Sequence, residues 1–133
     1  MLEPITITVP THWQQSKTKR VFLGLNWFRN AYRFTQAKAK TDMHELVTKQ
    51  LEELIPSEPH KGGYRLTLVY NYESTVSDLD NVVVVNKFVG DSLQSLGFVV
   101  NDNVKHCIEV RLLVGEKQVK GEGNCVITID FLD

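Results

Sequence analysis

Three carboxylates mark the two ends of one short segment of this sequence. Asp78 and Asp80 lie in the motif Asp-Leu-Asp-Asn at its start, and Asp102 follows the glycine at Gly97. Side chains two residues apart point to the same face of an extended strand, so Asp78 and Asp80 are expected to share a face. A turn after Gly97 would bring Asp102 back beside them. Grouped carboxylates repel one another, and all-oxygen ligation suits a hard cation such as Mg²⁺ or Mn²⁺.

The same residues have a structural interpretation. Asp is common before helices, where its carboxylate accepts backbone N–H bonds and favours the helix dipole. This explains one member of the pair, most naturally Asp80, but neither Asp78 nor Asp102. Asn-Asp-Asn around Asp102 is also ordinary turn chemistry. From the residues alone, metal binding and helix capping both remain open.

Size and composition predict one soluble domain over residues 1–133. The chain has 42% hydrophobic and 9% aromatic residues, which is ordinary for a globular protein. No apolar run reaches membrane-spanning length and no signal peptide is recognisable, so we expect a cytoplasmic protein without a membrane partner. Cys107 and Cys125 are then expected to be reduced core residues. Two cysteines and four scattered histidines form no zinc-binding spacing.

The positive charges are unevenly distributed, although the net charge is only −1. Residues 11–41 contain several cations and no Asp or Glu, whereas the rest of the chain is net acidic. Cations hold phosphates, so a basic arm beside an acidic metal site fits a phosphodiester substrate. The arm comprises Lys17, Lys19, Arg20, Arg29, Arg33, Lys38 and Lys40, of which the first five are the candidate DNA contacts.

Aromatic residues interleave with arginines at residues 27–34. Such a stretch can stack on bases and hold phosphates. It can equally form an amphipathic helix, in which Phe28 and Tyr32 face the core while Arg29 and Arg33 face water. The second interpretation is favoured for the aromatics, and the arginines can contact DNA under either.

Hydrophobic periodicity predicts an α+β fold. We expect a single domain with a mixed β-sheet of about four strands, two main helices packed on it, and the order β-α-β-α-β-β. The helix at 27–55 is either continuous or begins again at Thr41 or Asp42. The predicted strands are 5–9, 64–73, 105–114 and 124–132, the helices 27–55 and 81–96, the loop 11–26, and a polar hairpin connection 115–123.

The order Asp-Leu-Asp-Asn, helix, Gly-Phe and acidic tip resembles the RusA-type Holliday junction resolvases, which are small endonucleases of bacteria and their phages. The resemblance is closest over residues 76–104. It implies a metal-dependent endodeoxyribonuclease that resolves four-way or related branched DNA in recombination, repair or phage DNA processing. It also implies a homodimer, with Asp78, Asp80 and Asp102 as catalytic ligands of Mg²⁺, for which Mn²⁺ can substitute.

RusA-like proteins also carry a catalytic lysine inside the helix that follows the paired aspartates. Counting back from Gly97 places it at Lys87, whereas counting forward from Asp80 places it at Val84, because this segment is three residues longer than the family's usual spacing. Residues 72–77 lack the basic run that the family often has there. The alternative functions are therefore a non-catalytic nucleic-acid-binding module that retains the fold, and a small regulatory or structural protein.

Overall fold

A computed structural model describes residues 2–133 and confirms the α+β fold with one mixed four-stranded sheet and two main helices. A short first helix and a small β-hairpin supplement the predicted elements. The strands are β1 Ile5–Pro10, β2 His12–Gln14, β3 Arg20–Phe22, β4 Tyr64–Asn71, β5 Cys107–Val114 and β6 Asn124–Phe131. The helices are α1 Leu25–Asn30, α2 Arg33–Leu51 and α3 Val83–Ser95, with 3-10 helices at Glu52–Leu54 and Leu79–Val82.

The main sheet has the strand order β1-β6-β4-β5. Strand β6 is antiparallel to both of its neighbours, and β5 is parallel to β4. Strands β2 and β3 form a separate antiparallel hairpin. The predicted hairpin connection at 115–123 is therefore wrong, because β5 and β6 lie on opposite sides of β4. The burial pattern explains this order: every second residue of β6 is buried, as in a central strand, whereas β5 is largely exposed.

One face of the sheet forms the core, and alternation along the strands determines which face it is. In β4 the alternating residues Tyr64, Leu66, Leu68 and Tyr70 are buried, as the period-two pattern predicts. Helices α2 and α3 cover that face. Their buried side chains recur at three- and four-residue spacing, at Ala39, Met43, Val47 and Leu51 in α2, and at Val85, Phe88, Val89 and Leu93 in α3.

The helical region at 27–55 differs from the prediction at its break. The chain becomes extended at Ala31 and Tyr32, between α1 and α2. Thr41 and Asp42 lie inside α2, where the Thr41 hydroxyl donates to the Ala37 carbonyl at 3.0 Å. Because the helix is interrupted at Ala31 and Tyr32, the Tyr32 side chain is 84% exposed and is not a core residue. Phe28 does pack inward, with its ring 6.2 Å from that of Phe88.

The other boundaries agree with the sequence more closely. The four predicted main-sheet strands form, and α3 ends just before Gly97, which has a φ of +84° that favours glycine. Residues 11–26 are not a plain loop, since they contain β2 and β3. Cys107 and Cys125 are free thiols, although only Cys125 is fully buried. Among the residues that the structure describes, no helix is long and apolar enough to cross a membrane.

Candidate functional site

The Asp-Leu-Asp-Asn motif forms a tight turn between β4 and α3. Asp78 has extended backbone angles and precedes the 3-10 helix that contains Asp80. The Asn81 amide donates to the Asp78 carbonyl at 3.2 Å. The motif is therefore not an extended strand, and the expectation that Asp78 and Asp80 share a strand face does not apply.

The side chains of Asp78 and Asp80 are exposed and do not cap a helix. Asp78 occupies the N-cap position of the 3-10 helix without a side-chain capping bond. The N-cap of α3 is Val82, which has no side-chain acceptor. Within residues 2–133, neither carboxylate takes part in a hydrogen bond or an ion pair. Helix capping therefore does not account for either aspartate.

Asn81 fixes the motif to the start of α1. Its Oδ1 accepts a hydrogen bond from the Leu25 amide at 3.0 Å, and its Nδ2 donates to the Asp78 carbonyl at 3.3 Å. Gly24 permits this close approach, because a Cβ there would lie 2.8 Å from the Phe22 ring and 3.0 Å from Asn81 Oδ1. The turn that carries Asp78 and Asp80 is thus held rigidly beside α1.

A cavity of about 870 Å³ opens beside this turn. Its wall includes Ser77 and Asn81, which flank the two aspartates in sequence. The cations Arg20 and Lys120 reach it from the β2–β3 hairpin and from the connection between β5 and β6. The wall also contains aromatic and amide side chains. The lining residues are His12, Arg20, Val21, Phe22, Gly24, Asn26, Trp27, Tyr70, Glu73, Ser74, Val76, Ser77, Asn81 and Lys120.

Glu73 connects the hairpin to the sheet inside this cavity. Arg20 donates to both Glu73 carboxylate oxygens, at 3.1 and 2.6 Å. The Gly123 amide donates to the same carboxylate at 2.8 Å, and His12 Nδ1 lies 3.4 Å from it. Arg20, and then the Gly123 amide, lower the pKa of Glu73 to about 2. Burial, and then the Arg20 charge, lower the pKa of His12. The charge of Arg20 is thus balanced internally.

Asp102 occupies a different cavity, of about 260 Å³, between α1 and the middle of α3. A Cβ at Gly90 would lie 3.8 Å from the Asp102 Cβ, so Asp102 lies against the helix at that level. Gly90 is ten positions after Asp80, which corresponds to about 15 Å along a helix. The structure therefore returns Asp102 to α3, as expected, but beside its middle and not beside the paired aspartates.

Lys87 lines the same small cavity as Asp102. The 3-10 helix continues into α3 at Val83, so the three additional residues are helical and not in a loop. Lys87 consequently lies two helical turns from Asp80, about 10 Å along the axis. Val84, the position reached by counting forward, is only 4% exposed and belongs to the core. The structure thus places Lys87 with Asp102 and away from Asp78.

Comparison with known proteins identifies no related family or curated sequence. No protein-family model matches the sequence, and no curated protein sequence is significantly similar to it. The resemblance to RusA-type resolvases therefore rests on the motif residues themselves.

The chemistry of the three carboxylates suits a divalent metal ion, but their arrangement among the described residues does not form a metal site. Carboxylate oxygens suit Mg²⁺ or Mn²⁺. In the part of the chain from residue 2 to 133, however, no three His, Cys, Asp or Glu side chains are arranged to hold a metal ion. Asp78 and Asp80 are near neighbours in the chain, and Asp102 lies with Lys87. The described arrangement does not assemble the complete ligand set.

The small cavity contains two polar atoms that sequence reasoning missed. Tyr64 Oη and Asn86 Oδ1 are buried at its wall and have no hydrogen-bond partner among the described residues. Burial, with smaller contributions from Cys107 and Asp102, raises the pKa of the Tyr64 hydroxyl, so it remains protonated as a donor. A tyrosine in an alternating strand gives no signal that distinguishes this role from ordinary core packing.

The remaining candidate DNA contacts lie on the surface. Lys17 and Lys19 occupy the turn of the β2–β3 hairpin, and Arg29 and Arg33 lie on either side of the break between α1 and α2. All four are exposed, and none forms an ion pair within the described chain. By contrast, Lys38 pairs with Asp42 at 3.6 Å and Lys40 pairs with Asp91 at 3.2 Å. Lys120 and Glu73, which sequence reasoning also missed, are brought to the large cavity only by the tertiary fold.

Proposed function

We propose that this protein is a metal-dependent, structure-selective endodeoxyribonuclease that resolves Holliday junctions or related branched DNA. One observation carries the proposal: the turn bearing Asp78 and Asp80 adjoins the large cavity, which also contains Arg20 and Lys120. Neither carboxylate lines the cavity itself, but both are exposed and lack internal partners within residues 2–133, on a turn whose flanking residues line the cavity with these cations. Cations bind phosphates and acidic groups bind hard metal ions, which suits a phosphodiester substrate.

The proposed roles follow the two cavities. Asp78 and Asp80 are the proposed ligands of Mg²⁺ or Mn²⁺ at the turn, and Asp102 is a third that would have to approach them from the small cavity. A divalent metal held there would supply the hydrolytic chemistry. Lys120 and the hairpin lysines Lys17 and Lys19 would hold phosphates. Lys87 would place a positive charge near Asp102, where it can stabilise charge that develops during cleavage.

The biological setting is part of the proposal. Opposed cuts in a four-way junction need two identical sites, which a two-fold homodimer supplies. We expect a cytoplasmic enzyme of recombination or repair in a bacterial cell or in phage DNA processing. Lys120 supports DNA binding at the cavity, since it lines the same wall as Ser74, Val76 and Ser77, in the stretch that lacks a basic run in the sequence, whereas the charge of Arg20 is balanced by Glu73.

The decisive experiment measures cleavage of a synthetic four-way junction against linear duplex. Cleavage should require Mg²⁺ or Mn²⁺, should stop in excess chelator, and should return when metal is restored. Isothermal titration should show binding of Mg²⁺ without DNA, and thermal stability should rise with the metal concentration. Junction cleavage at an undiminished rate in excess chelator would contradict the proposal.

A second candidate is a non-catalytic nucleic-acid-binding module. It is favoured by the position of Asp102 against Gly90 in the small cavity, apart from the turn that carries the other two aspartates. The basic hairpin and the large cavity would serve DNA binding without a metal. This candidate predicts that the protein binds four-way junctions equally well with Mg²⁺ or chelator and cuts under neither condition. The same junction assay therefore separates the two functions.

A further inference from the structure

The two edges of the main sheet are treated differently. At β1, the Gln50 side chain of α2 pairs with the backbone of Thr8: its Oε1 accepts from the Thr8 amide at 3.0 Å and its Nε2 donates to the Thr8 carbonyl at 2.8 Å. Pro10 ends that strand. At β5, the only strand partner within residues 2–133 is β4, and no side chain there hydrogen-bonds to the β5 backbone. The β1 edge is blocked at Thr8 and ends at a proline, whereas the β5 edge is open along its length within the described chain.

The direction of the β5 backbone groups follows from its pairing with β4. The Gly115 amide donates to the Tyr70 carbonyl at 2.8 Å, in the register that aligns Val114 with Tyr70. Backbone groups alternate along a strand, so those of Glu109, Arg111 and Leu113 point toward β4. Those of Val110, Leu112 and Val114 therefore point to the open edge.

Apolar side chains accompany these free backbone groups. Ile108 is 56% exposed, Val110 is 42% exposed and Val114 is 63% exposed. Soluble proteins usually protect long edge strands with charged side chains, proline, β-bulges or strong shortening. Strand β5 extends over eight residues without proline or lysine, has a bulge only at its start, and pairs its two charged side chains with each other. An edge of this kind is suited to pairing with another strand.

We propose that β5 pairs antiparallel with β5 of a second copy of this chain, about a two-fold axis at Val110. The two main sheets would then form one continuous sheet. Val110 would lie opposite itself as a hydrogen-bonded pair, as the outward direction of its backbone groups requires. Ile108, the extra residue of the bulge between Cys107 and Glu109, would approach Leu112 of the second copy, which would bury apolar surface now exposed. This interface does not rest on the proposed nuclease function.

Charge selects this register over its neighbours. With the axis at Val110, Glu109 lies opposite Arg111 of the second copy, and this cross-strand pair occurs twice. An axis at Leu112, the next register that the outward backbone groups allow, would place Arg111 opposite Leu113 and would lose both charge pairs. Within one chain, Arg111 already lies 2.8 Å from Glu109, which in turn contacts Arg65 at 3.3 Å. Two copies would extend this into one network of alternating charges across the interface.

A charge-exchange experiment with sedimentation velocity tests the register. Wild type should sediment as a dimer. Glu109→Lys and Arg111→Glu each place like charges opposite each other, so each variant alone should dissociate at least ~10-fold more readily, equivalent to about 1.4 kcal/mol. An equimolar mixture of the two restores opposite charges at both pairs and should again form dimers. The mixture also controls for effects within one chain, because each variant keeps its own altered Glu109–Arg111 pair in the mixture.

Amide hydrogen exchange gives a residue-level measurement. In wild type, the outward amides of Val110 and Leu112 should be protected, and Arg111→Glu should remove that protection. The Leu113 amide, which faces β4, should stay protected in both proteins, which shows that the strand itself remains folded. A monomeric wild type, a dimer insensitive to both charge changes, or a mixture that stays monomeric would each overturn the proposal. None of these measurements involves DNA, so the result is independent of nuclease activity.

Discussion

The paired aspartates and Asp102 lie in different surroundings on the two sides of α1. Asp78 and Asp80 are exposed on a tight turn beside a wide, charged cavity. Asp102 is half-buried in a smaller cavity, whose wall is largely aliphatic and aromatic, and Lys87 is an exposed residue of the same wall. Residues that form one motif in the sequence are thus divided between an open and a confined environment. Their contributions to function can therefore be separated by mutation.

The comparison also separates two kinds of positive charge. Arg20 in the large cavity is held by Glu73, so its guanidinium is fixed in place and already balanced. Lys87 in the small cavity has no ion-pair partner among the described residues. A cation that is already paired with a carboxylate contributes to the shape of a surface but adds little net charge, whereas an unpaired cation can bind a phosphate. The two cavities should consequently respond differently to removal of their cations.

The largest expected effect tests whether the two regions act as one site. Asp80→Asn and Asp102→Asn should each reduce junction cleavage by roughly 10²–10³-fold, the range for loss of one electrostatic contact to a transition state. The double variant should be little worse than either single one, because members of a unit are non-additive. Glu45→Gln, an exposed acid on α2, is the control and should leave cleavage unchanged.

Circular dichroism and junction binding by these variants should match wild type. If Asp102→Asn cuts normally while Asp80→Asn is inactive, the two regions are functionally distinct and Asp102 is not part of the site. That outcome would assign cleavage to the large cavity and the turn beside it, without the small cavity.

The next effect concerns Lys87. If its charge acts on the transition state, Lys87→Ala should slow single-turnover cleavage about 10-fold and leave junction binding nearly unchanged. Saturating enzyme removes binding from the measurement. Lys49→Ala, which removes another exposed lysine from a helix, is the matched control. A rate within a few-fold of wild type would mean that Lys87 is a solvated lysine and that the small cavity contributes little to chemistry.

Local sequence patterns predict most helices and strands, but they do not predict which strands pair. The alternation at Leu66, Leu68 and Tyr70 is a local property and is sufficient to locate β4 and its buried face. The position of β6 between β1 and β4 depends on long-range pairing, so the local pattern predicts a hairpin at 115–123 that does not form.

The candidate site shows the same limit. The motif identified Asp78, Asp80 and Asp102, but strand geometry was the wrong basis for relating the first two, since Asp80 lies in a 3-10 helix. Helix counting also could not place the three additional residues, which the structure puts inside the helical segment before Lys87. Arg20 and Glu73 are far apart in sequence, so no spacing rule could reveal their ion pair.

A smaller effect concerns the stability of the large cavity. Glu73→Gln should lower the free energy of unfolding at neutral pH by about 1–2 kcal/mol, because charge-assisted bonds from Arg20 are lost. The folded-state pKa of Glu73 is lowered from 4.5 to about 2, so its contribution is present above pH 4.5 and is lost as the pH falls toward 2. Urea denaturation across this range should therefore show wild type and variant converging in acid. A constant difference at every pH would contradict the ion pair.

The smallest expected effect concerns the hairpin lysines, and it tests whether DNA reaches beyond the large cavity. Lys17 and Lys19 are exposed and unpaired in the described chain, so each can release one counterion when it meets a phosphate. Replacing both with Gln should reduce the slope of log affinity against log salt by up to about 1.8, at about 0.9 per contact on duplex DNA. The matched control replaces Lys38 and Lys40 with Gln, since these two already pair with Asp42 and Asp91. Both double variants lose the same formal charge, so a general electrostatic effect would change their slopes equally. If the slope falls only in the hairpin variant, the DNA path extends from the cavity along β2 and β3. If the two double variants have equal slopes, the DNA is confined to the cavity and the α1–α2 break.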